Sequence, residues 1–213
     1  LRMLYLDHAA TTPIDPDIRA GMMARFATDF ANPSSKHAPG RRARAELEAA
    51  RGSLASVIGA SPDQILFTGG GTEALGLAML GSAGDQPARV AISAVEHSAV
   101  SESAYWLEER LGWQVDVLDV DADGRVQPQT VEAAIDASTR IVAVMLVNNE
   151  VGTINDLAAI AAIIRRQAPR AKIVVDAVQA FAKMPFTIDE LGVDLIAFTS
   201  HKIHGPKGIG ALW

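Results

Sequence analysis

IVAVMLVNNEVGTINDLAAIAAIIRRQAPRAKIVVD, residues 141–176, is the stretch from which the fold is read. Ile141 to Val147 is a continuous apolar run, too short for a helix with one polar face and suited to a strand buried on both sides. Three polar residues, Asn148, Asn149 and Glu150, end it. A helical pattern follows over 157–168, and Lys172 to Asp176 reads as a second strand. Strand, helix, strand within 36 residues is a parallel crossover unit.

The same alternation extends both ways. Asp15 before Pro16 marks a capped helix start running to about Ala27. Ala43, Leu47, Ala50, Leu54, Val57 and Ile58 form a helical stripe that Gly59 should end. Ile65 to Thr68 reads as a short strand, followed by Gly69-Gly70-Gly71 and a helix from about Thr72. Arg89 to Ser93 and Gln114 to Leu118 are further strands, with helices near 99–111 and 129–137. Asp194 to Thr199 and Gly208 to Trp213 lie too close for a helical crossover, so they should pair as a hairpin. The expectation is an α/β fold in three layers, a mostly parallel sheet with one antiparallel strand and helices on both faces. In such a sheet ligands gather beyond the carboxyl ends of the strands. Thr68 to Thr72, His97, Asn148 to Glu150, Asp176 and Ser200 to Lys202 should therefore meet on one rim.

Composition fits a single large domain over residues 1–213, with 49% hydrophobic and 21% charged residues. The net charge of −6 offers no basic field for nucleic acid. Arg41, Arg42 and Arg44, mixed with Glu46 and Glu48, read as a solvated helix face. No apolar run approaches the ~20 residues of a membrane span. No leader pattern opens the chain, so the expected location is the cytoplasm. The chain has no cysteine, which excludes disulfides, cysteine-ligated zinc and a thiol nucleophile of its own.

Each candidate residue has a plain reading beside a chemical one. The glycines at 69–71 could form only a turn, or could let backbone N–H groups at a helix start hold a phosphate, with Gly71 and Thr72 nearest. Asp176 could cap a turn, or hold a cationic ring nitrogen, with Gln179 in reach of the same ligand. His97 could cap the next helix, or stack on a ring and move protons. Lys202 is one of five lysines and stands between a strand end and a glycine-proline turn. An amine partly desolvated there is suited to Schiff-base chemistry. His201 and His204 have no evident third metal ligand nearby, and no nucleophile-elbow motif occurs.

Together these segments resemble the NifS-like cysteine desulfurases, in the class V aminotransferase group of fold type I pyridoxal-phosphate (PLP) enzymes. The resemblance lies in Tyr5 to Pro13, Asn32 to His37 with Gly40, Thr68 to Glu73, Glu96-His97, Val147 to Gly152, Val175 to Ala177 with Gln179, and Ser200 to Gly210. It spans essentially the whole chain. It implies that Lys202 carries PLP and moves the substrate α-proton, that Asp176 pairs with the ring nitrogen, and that Gln179 bonds the ring hydroxyl. It implies that His97 stacks over the ring, that Gly71, Thr72, Ser200 and His201 hold the phosphate, and that Asn149 faces the ring oxygen and the substrate carboxylate. The implied substrate is L-cysteine, giving alanine and a protein persulfide that passes to a sulfur-acceptor protein, as in iron–sulfur cluster assembly, in a homodimeric enzyme. Ala74-Leu75-Gly76 departs from the polar residues many relatives carry there. Relatives continue beyond the position of Trp213 into a small domain bringing the catalytic cysteine and a substrate-binding arginine. The present chain is therefore expected to be the large domain, inactive alone, with residues 1–30 packing on that small domain. Another class V enzyme (selenocysteine lyase, aminotransferase or kynureninase-like hydrolase) and a non-catalytic scaffold are the alternatives.

Overall fold

The computed structural model describes residues 4–213; Leu1 to Met3 of the expected N-terminal segment lie outside the described residues. In chain order the elements are α1 (Pro16–Thr28), α2 (Ala38–Ile58), β1 (Leu66–Thr68), α3 (Gly71–Gly81), β2 (Arg89–Ser93), α4 (Ser98–Leu111) and β3 (Gln114–Leu118). Then follow α5 (Pro128–Ala134), β4 (Thr139–Ala143), α6 (Leu157–Gln167), β5 (Lys172–Asp176), α7 (Ile188–Leu191), β6 (Leu195–Thr199) and β7 (Gly210–Leu212). The strands form one sheet in the order β1-β7-β6-β5-β4-β2-β3. β3, β2, β4, β5 and β6 pair in parallel, while β7 runs antiparallel to both β1 and β6. This is the expected three-layer α/β architecture with its single reversed strand.

Side-chain alternation divides the core between the two faces. Ile141, Ala143 and Val174 point to the side covered by α3 and α4, where Leu75, Met79 and Leu107 are buried. Val142, Val144, Ile173 and Val175 point to the side covered by α5 and α6, where Val131, Ile160 and Ile164 are buried. A strand buried on both faces needs apolar residues at every position, which is why residues 141–147 show no alternation. The ladder nevertheless stops at Ala143. Val144 and Leu146 still donate backbone bonds to Val174 and Asp176, but the chain is already leaving the sheet toward the loop at 148–152.

Helix starts follow their capping chemistry. The Asp15 side chain accepts from Asp17 and Ile18 N–H, with Pro16 in the first turn, and Gly59 closes α2 at φ 74°. The α2 stripe differs from its expected membership: Gly40, Ala43, Ala55 and Ile58 are buried, whereas Ala50 and Val57 face outward. Helix α1 buries none of its residues. Three elements went unread in the sequence: short 3₁₀ turns at Pro62–Gln64 and Ser200–Lys202, and the four-residue α7, whose Thr187 and Glu190 form a reciprocal capping box. Among the described residues no helix is long and apolar enough to cross a membrane.

Candidate active site

A cavity of about 500 Å³ lies beyond the carboxyl ends of β4, β5 and β6. Gly71, Thr72, His97, Asn149, Asp176, Gln179, His201 and Lys202 all line it. Residues separated by as many as 131 positions meet there because each follows a parallel strand or opens the next helix. A second hollow of about 730 Å³ adjoins it, sharing Gly71, Thr72 and His201 and adding Lys207.

Ser200 is not in this group. Its hydroxyl donates to the carbonyls of Pro206 and Ile209, and the residue borders a separate apolar hollow with Leu54, Phe67 and Phe198. Thr199, one position earlier at the end of β6, lines both cavities instead. The alternation of a strand explains the exchange, since neighbouring residues point to opposite faces. The 3₁₀ turn at Ser200–Lys202 then returns His201 and Lys202 to the cavity.

Asp176 ends β5 and is buried. Its Oδ1 accepts the Val178 N–H at 2.8 Å, a local turn bond, and no partner among the described residues occupies Oδ2. Burial raises its pKa above the ordinary carboxylate value, against the lowering effects of that N–H, His97 and Lys202. Lys202 shows the complementary shift. Desolvation lowers its pKa, opposed by Asp176 and Asp7. Its ammonium donates to the backbone carbonyls of Ala9 and Ala10, the latter at 2.7 Å. Burial lowers the His201 pKa as well, helped by the positive charges of Lys202 and Lys207.

His97 takes its capping role and also stands at the cavity. It caps α4, with Nδ1 accepting the Ala99 N–H at 3.1 Å, and it lines the cavity. That bond places the neutral ring's proton on Nε2. Asn148 turns inward, with Oδ1 accepting from Glu150 and Val151 N–H, which leaves Asn149 at the cavity wall. The first turn of α3 has no side-chain cap, because its N-cap residue is Gly70; Glu73 accepts the Gly69 N–H one position earlier. A Cβ on Gly71 would stand 3.0 Å from Val178 Cγ2, so only glycine fits there without displacement.

Several contributors stood in the sequence motifs without an assigned role. Glu96 Oε1 accepts from Ser93 Oγ at 2.5 Å and from Met145 N at 2.7 Å, while its buried Oε2 has no partner. Burial pushes its pKa up to about 7, and the negative charge of Asp176 adds to the shift. The segment at residues 7–15 lies across the site like a strap. Thr12 N and Oγ1 both bond the His201 carbonyl, Thr11 Oγ1 meets His201 Nδ1 at 3.1 Å, and His204 N donates to Thr12 Oγ1 at 2.7 Å. Only position in space identifies these backbone partners, since a carbonyl leaves no residue-type signature.

The aminotransferase class-V family profile matches residues 4–213. The chain is 40% identical to a protein of Dictyoglomus turgidum named cysteine desulfurase IscS, over all of this chain and 54% of that one. It is 41% identical to the protein of that name from Pseudomonas aeruginosa, over 99% of this chain and 53% of the relative. The chain thus spans about half the length of these curated relatives. Among solved structures, a NifS-like protein superposes with a TM-score of 0.94 at 33% identity, covering all of this chain and 59% of the other. A second, SspA in complex with cysteine, superposes with a TM-score of 0.92 at 32% identity, over 99% of this chain and 61% of that one. With the profile spanning every described residue, the chain belongs to the class-V aminotransferase family.

Proposed function

We propose that this chain is the cofactor-binding part of a PLP-dependent cysteine desulfurase. The observation that carries the reading is the convergence of Lys202, Asp176, His97, Gln179 and Asn149 on one cavity, with an uncapped helix start at its other end. The residues fit the cofactor. A buried carboxylate with one free oxygen calls for a cationic N–H partner, which a protonated pyridine ring provides. The free N–H groups at the start of α3, His201 and Lys207 make a positive end suited to a phosphate, with the Thr199 hydroxyl, which donates to the Ile209 carbonyl at 3.4 Å, beside them. Thr199 takes the phosphate-facing place for which Ser200 was expected.

When bound, PLP supplies an electron sink for the pair left at a substrate α-carbon after deprotonation. The chain's own residues supply the rest. Lys202, with its pKa lowered by burial, would hold the cofactor covalently, and its amine would be the group to move the substrate's α-proton. Asp176 would hold the proton of the ring nitrogen. His97, fixed by the Ala99 N–H and lining the cavity, would cover one ring face and exclude water from it. Gln179 and Asn149 offer amide donors to the ring oxygen and to the substrate carboxylate. L-cysteine as substrate is supported by the desulfurase names of the relatives and by the neighbour solved with cysteine. A cysteine that receives the sulfur, a sulfur-acceptor protein and a second subunit complete the reading. The exposed apolar residues of α1, including Met23 and Phe26, are assigned to packing against that further structure.

The test is covalent mapping. After incubation with PLP and borohydride reduction, the pyridoxyl group is expected on Lys202; labelling of Lys183 or Lys207 in its place overturns the assignment.

A further inference from the structure

Lys183 has no role in the site described above, yet it stands one hydrogen bond from it. Its Nζ donates to Gln179 Oε1 at 2.7 Å. Gln179 Nε2 in turn donates to the Ala9 carbonyl at 2.9 Å, and the same carbonyl accepts from Lys202. Lys183, Gln179, Ala9 and Lys202 therefore form one unbroken chain of polar contacts. Just before Lys183, Ala182 adopts φ 57°, a left-handed conformation uncommon outside glycine.

A carboxamide can sit in either of two orientations that exchange its acceptor and donor ends. An ammonium offers donors only, so Lys183 favours the orientation with Oε1 outward. The amine end then faces the Ala9 carbonyl and the cavity. In the opposite orientation two carbonyl oxygens would face each other across the Ala9 contact, and a ring oxygen in the cavity would meet a third.

We propose that Lys183 is a positioning residue that locks the Gln179 carboxamide with its N–H groups inward, so that an acceptor oxygen on a bound cofactor ring finds a donor. This rests on the PLP reading and deepens it. Lys183 also brings positive charge to the site, and its own pKa is lowered by partial burial and by Lys202. The other charged groups facing Lys202 are Asp176 and Asp7, with His201 and its neighbour Lys207 on the positive side. Asp176 additionally faces His97 and Glu96.

The experiment uses the full chain loaded with PLP, following the bound cofactor's absorbance against pH. Lys183→Met is expected to loosen cofactor retention about threefold, the loss of roughly one ordinary hydrogen bond. It should also move the absorbance midpoint upward, because an inward N–H and a nearby cation both oppose proton uptake by the cofactor. Lys183→Arg, which likewise has donors only, should restore the wild-type midpoint. In a Gln179→Ala background the Lys183→Met shift should shrink to less than half, since the coupling passes through the carboxamide. Loading with an unmoved midpoint in Lys183→Met, or an undiminished shift without Gln179, overturns the proposal alone. Failure of the wild type to take up PLP overturns the cofactor reading and this proposal with it.

Discussion

Asp176 and Glu96 are two carboxyl groups in one neighbourhood with different means of support. Asp176 has Lys202 and His97 nearby, whereas Glu96 has only neutral donors and an unpartnered oxygen. Glu96 should therefore leave a mark on stability. Its pKa rises from 4.5 in an ordinary setting to about 7 in the fold. Between those values the folded state keeps a proton that the unfolded chain has released. The contribution of Glu96 is fully favourable below the lower value and is lost as pH rises through the upper one, by on the order of 3 kcal/mol. Glu96→Gln should remove that loss. Denaturant unfolding at about pH 5 and about pH 8 is expected to show a smaller stability drop in the variant, and equal drops would refute the assignment. Asp176 is probed through the cofactor. Asp176→Ala leaves a buried cation site without its partner, a change that typically costs about 3–5 kcal/mol. Asp176→Asn keeps a hydrogen-bonding group without charge. Cofactor retention should fall further in Asp176→Ala than in Asp176→Asn, while α-proton exchange in the complete enzyme is lost in both.

At the scale of elements, the close meeting of β7 with the start of α3 is the most constrained contact near the site. A Cβ on Gly210 would lie 2.6 Å from Gly70 C and 2.7 Å from Phe198 O, both backbone atoms with no rotamer to change. Gly210→Ala should cost at least ~1–3 kcal/mol and, by displacing Gly70, weaken PLP binding too. Gly76, midway along α3, has nothing within 4 Å of an added Cβ, so Gly76→Ala should be neutral or stabilise by up to ~1 kcal/mol. Thermal unfolding of the two variants checks the contrast, and similar shifts in both would discount the backbone contact. Elements with strong signals were legible in the sequence: β2, β3 and β5 have the expected bounds, and Asp15 and Gly59 bound their helices as capping chemistry requires. The single-sided stripe of α2 was less legible, because Ala50 and Val57 fit the helical period while the helix presents a narrower face to the core. The site divides in the same way. Lys202, Asp176 and His97 sit at strand ends that hydrophobic pattern alone locates. Thr199 against Ser200 depended on strand parity at its last residue, where a 3₁₀ turn takes over and a pattern of period two no longer decides. The carbonyls of Ala9 and Ala10 meet Lys202 only once residues 7–15 are laid across the sheet.

For the whole molecule, the proposed reading separates binding the cofactor from accepting sulfur. Every group assigned to the cofactor is present in these 213 residues, and no thiol is, because the chain has no cysteine. Sulfur transfer as a persulfide needs a thiolate to attack the substrate's sulfur, and neither Lys202 nor His97 can form that product. On that reading Asn149 would meet the substrate carboxylate, and among the described residues no arginine lines the cavity to hold it bidentately. Positioning of this kind can supply roughly 7–11 kcal/mol of a barrier, so a substrate held by one amide should react slowly even at steps within reach of Lys202. The 213 residues loaded with PLP are thus expected to change the cofactor spectrum on addition of L-cysteine, as the amine exchanges with Lys202, while releasing no alanine. The two readouts separate the halves of the argument. An unchanged spectrum would count against the amine-exchange role of Lys202, and steady alanine release by the mass-verified chain would show that sulfur leaves the substrate without a protein thiol.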